Sequence, residues 1–219
     1  MSDSLPAFRK EYREQHIGPR YNGWLHFAFT VSVATSIIVL CGLRMHAVTA
    51  WEWSTVPLTF LYANFAEYFG HRGPMHHPRP GLRMVYERHT RQHHRFFDES
   101  HMAFDQTRDF KAVLFPPLLV TFFLMAFGSP IAFLLAWVAT PNVGYLFALT
   151  VTAYFLNYEL LHFSYHLPPQ HFVAQIPGMG MLRRLHTHHH DPSLMAKHNF
   201  NISYPLCDWL FGSLYRGKK

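Results

Sequence analysis

The stretch RRLHTHHHDPSLMAKHNF, residues 183–200, places His186, His188, His189 and His190 within five positions, with His198 close behind. It is part of a wider pattern. Of the 18 histidines, ten form four groups: His71 and His76 (HxxxxH), His89, His93 and His94 (HxxxHH), His162 and His166 (HxxxH), and His186, His189 and His190 (HxxHH). Imidazole is a good ligand for iron, zinc, copper and nickel. On a helix, residues three and four apart share a face. His162 with His166, His89 with His93, and His186 with His189 and His190 can therefore each aim nitrogens at one point. His188 lies off that face, so a solvent-facing or outer position is expected for it. His71 and His76 fit less well, because Pro74 is expected to end the helix between them.

A single histidine has a bland reading. His26 suits a hydrogen-bonded core position, His16, His46 and His171 suit the surface, and the run 186–190 alone would suit a solvated patch. The four groups together do not, because ten buried imidazoles without a metal need ten sets of hydrogen-bond partners or cost free energy if charged. Carboxylates are sparse nearby. Glu67 precedes His71 by four residues and Glu159 precedes His162 by three. Each is either an acceptor for the outer ring N–H of a ligand, which would fix its tautomer, or an ordinary helix-end charge. Asp98, Asp105, Asp109 and Asp191 are candidates by proximity in sequence alone.

The elements that must position these groups are apolar and helical. Charged residues make up 15% of the 219, against 49% hydrophobic and 17% aromatic, where about 25% charged is usual for a soluble chain. A bilayer core of about 30 Å needs roughly 20 apolar residues in a helix. Residues 24–43 meet that length, and 50–69 are a second candidate with Glu52 and Glu67 near its ends and an expected kink at Pro57. From Lys111 to His166 the chain suits a hairpin. Gly128-Ser129-Pro130 and Thr140-Pro141-Asn142 can each turn it; the favoured reading is a first arm that starts near 112 and is broken at Gly128, a reversal at Pro141 and a second arm over 143–163. The expected fold is thus all-α, a single domain over 1–219 with about four membrane helices and a histidine-rich cytosolic helical cap.

The Lys/Arg distribution supports that topology. Arg9, Lys10, Arg13 and Arg20 precede the first span, eight cations from Arg72 to Lys111 lie between the second and third, and Arg183 to Lys219 follow the fourth. This asymmetry puts both termini and residues 70–111 in the cytosol. The net charge of +6, with no nucleic-acid motif, points to lipid rather than nucleic acid. Cys41 and Cys207 lack a metal or disulfide spacing, and the polar first twenty residues do not read as a signal peptide.

The order HxxxxH, HxxxHH, HxxxH, HxxHH after paired spans resembles the fatty acid hydroxylase superfamily, which includes sterol desaturases and sphingolipid fatty acid hydroxylases. The flanks are similar too: HHRFFDESHMAFDQTRDFKAVLFPP, YELLHFSYH and HHHDPSLMAKHNFNISYPLCDWLFGSLY. The resemblance covers roughly residues 60–215. It departs at the second motif, often HxxHH, where Thr90 holds the third position before His93 and His89 stands one place earlier. The resemblance implies two iron ions (zinc being a possible substitute in purified protein), O2 as co-substrate, and a lipid substrate entering from the bilayer. It implies the ten histidines as ligands, with Asn199, the trailing asparagine of the last motif, either holding a metal-bound water or serving a turn. Sphingolipid members often carry a fused cytochrome b5 domain. There is no room for one here, so a separate cytochrome b5- or ferredoxin-like donor is expected. Hydroxylation is the leading outcome, with desaturation by the same centre as alternative. A metal transporter or buffer is the reading from another class, and it would call for ionisable residues deep in the spans. Aromatics such as Phe122, Phe123 and Phe155 would line the route of any lipid.

Overall fold

A computed structural model describes residues 4–217, and the side chains of Phe123 and Phe127 lie outside the described set, as do Lys218 and Lys219. Among the described residues there are helices and turns and no strand. The helices are α1 (Leu5–His16), α2 (Gly23–Arg44), α3 (Thr55–Gly70), α4 (Arg83–Tyr86), α5 (His94–Phe96), α6 (Phe110–Val113), α7 (Pro117–Phe123), α8 (Ser129–Val138), α9 (Pro141–Tyr165), α10 (Met179–His189) and α11 (Leu206–Leu210). Two stretches, Gly23–Arg44 and Thr107–Val138, are long and apolar enough to cross a membrane.

The described chain forms two compact units. One comprises residues 24–63 and 115–159. Its helices α8 and α9 are the two arms of a tight hairpin, because a Cβ on Gly144 would lie 2.7 Å from the Ala132 carbonyl oxygen and 2.7 Å from the Ala136 Cβ. The reversal falls at residues 139–140, with Pro141 as the first residue of α9, a position where its missing N–H costs nothing. The interruption expected at Gly128 is a π-helical segment, Leu124–Gly128, joining α7 to α8. Glu52 closes this end of the unit. Its buried carboxylate accepts from the Thr49 backbone N–H (2.7 Å), the Thr140 hydroxyl (2.5 Å) and the Asn142 amide (3.3 Å). His26 is buried, with Nε2 2.9 Å from the Phe115 carbonyl oxygen, as expected of a core histidine.

Two boundaries differ from the sequence reading. The first hairpin arm begins at Pro117 rather than near 112, because the residues before Pro116 and Pro117 are held out of the helical region, and Leu114 is extended at φ −61° and ψ 138°. The helix expected from residue 50 begins at Thr55, after a 3-10 turn at Glu52–Ser54. Pro57 therefore sits in the first turn of α3, where it is tolerated, and is no mid-helix kink.

The other unit comprises, among the described residues, 4–23, 64–114 and 160–217 and contains all ten grouped histidines. Its core includes Tyr12 and Ile17 against Phe96, Phe97, Met102, Ala112 and Val113. A second cluster joins Tyr68, Phe200 and Cys207.

Candidate metal centre

The ten histidines form two sets. His71, His76, His89, His94 and His189 make the first, and His93, His162, His166, His186 and His190 the second; within each, one ring nitrogen per residue lies within 4.8 Å of all the others. All ten are buried. No carboxylate or thiolate joins either set among the described residues.

Local winding explains the sorting. The chain is π-helical over His71–Met75 and over Glu87–His93. A π-helix bonds i to i+5, so it aligns residues five apart rather than four. His71 and His76 are five apart, and so are His89 and His94. Hence HxxxxH is a good spacing here, and Pro74 lies inside the π segment rather than ending the helix. His89 accordingly shares a set with His94 and not with His93. On α10, His186 and His190 are one α-turn apart and share the second set, while His189, about 100° round from His190, serves the first. The adjacent pairs His93–His94 and His189–His190 are thus divided between the two sets.

Ring hydrogen bonds show which nitrogens are free to bind. In the second set, Nδ1 of His93 donates to the Ala112 carbonyl (3.0 Å), that of His166 to Met102 (2.8 Å) and that of His190 to Phe97 (2.6 Å). In the first, Nδ1 of His71 donates to the Phe200 carbonyl (2.5 Å) and that of His189 to His198 (2.9 Å). Nδ1 of His76 faces the Thr90 oxygen at 3.3 Å, and that hydroxyl gives its own proton to the Met75 carbonyl at 2.6 Å. A carbonyl only accepts, so each of these Nδ1 atoms carries the proton, and in a neutral ring Nε2 is then a bare lone pair. Yet Nε2 of His93 lies 3.1 Å from Nε2 of His190, and Nε2 of His76 lies 3.0 Å from Nε2 of His189. Two lone pairs at that distance repel unless a cation lies between them. Imidazole nitrogens bound at about 2.0–2.1 Å and at right angles are about 3.0 Å apart. The remaining Nε2 contacts, from 2.8 Å between His71 and His89 to 3.2 Å between His186 and His166, have the same spacing.

Burial, reinforced by neighbouring imidazoles, holds His71, His89, His94, His166, His186 and His190 well below the usual histidine pKa and brings His76 down to about 2, while burial alone brings His189 to about 4. These rings are neutral and able to bind a cation at ordinary pH. The donor sets fit first-row transition metals.

Glu67, Glu159 and Asn199 each bind backbone groups. Glu67 accepts from the Ile202 and Ser203 backbone N–H groups and from the Ser203 hydroxyl. It thus fixes the loop whose Phe200 carbonyl receives His71. Glu159 accepts the Phe115 N–H at 3.1 Å. The Asn199 amide donates to the Leu185 and Tyr215 carbonyls, and its oxygen accepts the Tyr215 N–H. It stands at φ +56°, so it clamps a left-handed turn. Asp105 and Asp109 pair with Arg13, while Asp98 and Asp191 stabilise local turns. His188 is outside both sets and packs on Tyr215, as the spacing predicts.

Other supports escaped the sequence reading. Asp208, fully buried, accepts the N–H groups of Phe200 (2.9 Å) and Asn201 (2.7 Å) and the Ser213 hydroxyl (2.7 Å). Thr90, read as a departure from a motif, orients His76. Most Nδ1 acceptors are backbone carbonyls, which no residue type advertises.

No curated protein and no solved structure matches this sequence. The model of the fatty acid hydroxylase family matches residues 56–213, which span every grouped histidine; by that match, the chain belongs to the fatty acid hydroxylase family.

Proposed function

We propose that the chain is a membrane-bound, non-haem di-iron oxygenase that oxidises a C–H bond of a lipid with O2 and two electrons, with hydroxylation as the outcome. The observation that carries this reading is the facing of bare Nε2 atoms, His93 to His190 and His76 to His189, an arrangement that calls for one cation in each set. In this reading the first ion is held by His71, His76, His89, His94 and His189, and the second by His93, His162, His166, His186 and His190. Family membership supports a lipid oxidoreductase.

When bound, a pair of iron ions supplies the binding and reduction of O2. The chain's own groups do the rest. Backbone carbonyls hold protons on Nδ1 and thereby aim Nε2 inward. Burial keeps the rings neutral. Enclosure keeps water from the reacting C–H bond, which limits side reactions.

The two apolar stretches and the family suggest a membrane protein. We extend this to four crossings, by α2, α3, α7 with α8, and α9, with both termini and residues 70–111 cytosolic. The lipid then enters from the bilayer, and a separate electron-donor protein reaches the histidine unit from the cytosol. Metal transport is disfavoured because the histidines gather in one unit instead of marking a path through the spans. Lipid profiling of cells with and without the protein tests the reading. A product heavier by one oxygen is expected. A product lighter by two hydrogens would assign desaturation, and an unchanged lipid profile with metal-loaded protein would reject the oxygenase.

A further inference from the structure

Helix α1 lies wholly before the family-matched region, which starts at residue 56, yet it reaches the second histidine set through one side chain. Arg9 is buried. Its Nε donates to the Phe96 carbonyl at 2.8 Å, one terminal nitrogen to the His101 carbonyl at 2.7 Å, and the other to Asp105 at 2.9 Å. Its guanidinium carbon lies 5.0 Å from the Phe96 ring centroid and 5.3 Å from that of Phe97. The next carbonyls along the chain, those of Phe97 and Met102, receive Nδ1 of His190 and His166. Phe97 is extended, at φ −125° and ψ 116°, so consecutive carbonyls there face opposite sides. Arg9 holds the segment at 96 and 101, and two histidines of one set hold it at the next carbonyls, 97 and 102.

We propose that Arg9 is a positioning residue for the second histidine set: it fixes the carbonyls that dictate the tautomer and aim of His166 and His190. This rests on reading those histidines as metal ligands. Among the described residues no hydrogen bond ties Arg9 to an acceptor of the first set, whose carbonyls belong to Phe200 and His198, so its effect falls on the second metal. Arg13, one turn on, pairs with Asp105 and Asp109 and lies over the Phe96 ring, 5.5 Å from its centroid. It shares the docking of α1 and lacks the carbonyl contacts.

The test counts metal in the full-length protein, purified in detergent and dialysed against a chelator of fixed strength. Wild type is expected to keep two metals per chain, Arg9→Gln one, and Arg13→Gln two. Adding His166→Ala to Arg9→Gln should leave one, and adding His189→Ala should leave none. Arg9→Lys, the milder change, should also hold one, because a compact ammonium cannot span three acceptors as the planar fork does. Two metals in both Arg9 variants would overturn the proposal. So would an equal loss in Arg13→Gln, which would reduce Arg9 to a docking residue, or failure of both Arg9 variants to fold, since the predicted loss is local. Fewer than two metals in the wild type would reject the di-metal reading itself, a distinct result that removes this proposal with it.

Discussion

Replacing Asp208 by Asn should destabilise the protein and loosen the first histidine set, and the size of the effect follows from the hydrogen bonds. One carboxylate oxygen accepts both the Phe200 N–H and the Ser213 hydroxyl, and the other accepts the Asn201 N–H at 2.7 Å. An amide can keep the first oxygen, but its NH2 must then face the Asn201 N–H, donor against donor. One charge-assisted hydrogen bond is lost and a buried N–H is left without a partner, at a combined cost of about 2–4 kcal/mol. For a chain of this size that lowers Tm by about 5–15 °C. The Phe200 carbonyl, which receives His71, sits on the loosened loop, so the metal of the first set should dissociate faster while that of the second is unaffected. Thermal unfolding and timed chelator extraction measure both. A Tm shift under about 2 °C, or equal acceleration of both metals, would refute the reasoning.

Three more expectations follow from the same contacts. Gly23→Ala would place a Cβ 2.0 Å from the Thr107 carbonyl oxygen and 2.8 Å from the Phe110 ring, so residues 107–113, including the Ala112 acceptor of His93, must move; a loss of about 1–3 kcal/mol is expected, and unchanged unfolding would contradict the packing. The metal-free protein should be acid-labile. The folded-state pKa values of His71, His89, His166 and His190 lie well below the 6.5 of the unfolded chain, so their contribution is complete above pH 6.5 and is lost as pH falls beneath it, at up to about 1.4 kcal/mol per group per pH unit; flat stability from pH 7 to 5 would show that these rings are not held neutral. Cysteines placed at the exposed positions Ser4 and Ser100 should react with an impermeant reagent only from the cytosolic side, and labelling from outside would reverse the proposed topology.

The sequence disclosed the ten histidines because no common structural role explains four such groups. It did not disclose their sorting. The spacing His89 to His93 fits an α-helix, and only the π winding of residues 87–93 exchanges His93 for His94 as the partner of His89. Pro74 misled for the same reason, since its effect depends on the winding around it. Glu67 was visible as a carboxylate, but its target, the 202–203 backbone, is remote in sequence. The start of the hairpin arm was readable from Pro116 and Pro117, which override hydropathy at residues 112–116. Arg9 and Arg13, four residues apart on a short polar helix, carried a helix-face signal, though nothing in the sequence named the segment they grip.

The central claim, that each set of five imidazoles holds one metal ion, is tested most directly by metal analysis with X-ray absorption on the same purified sample. Two metals per chain are predicted, each ligated chiefly by nitrogen at about 2.0–2.2 Å with histidine outer-ring scattering. One metal or none after purification without chelator, or a sulfur-rich shell, would contradict it.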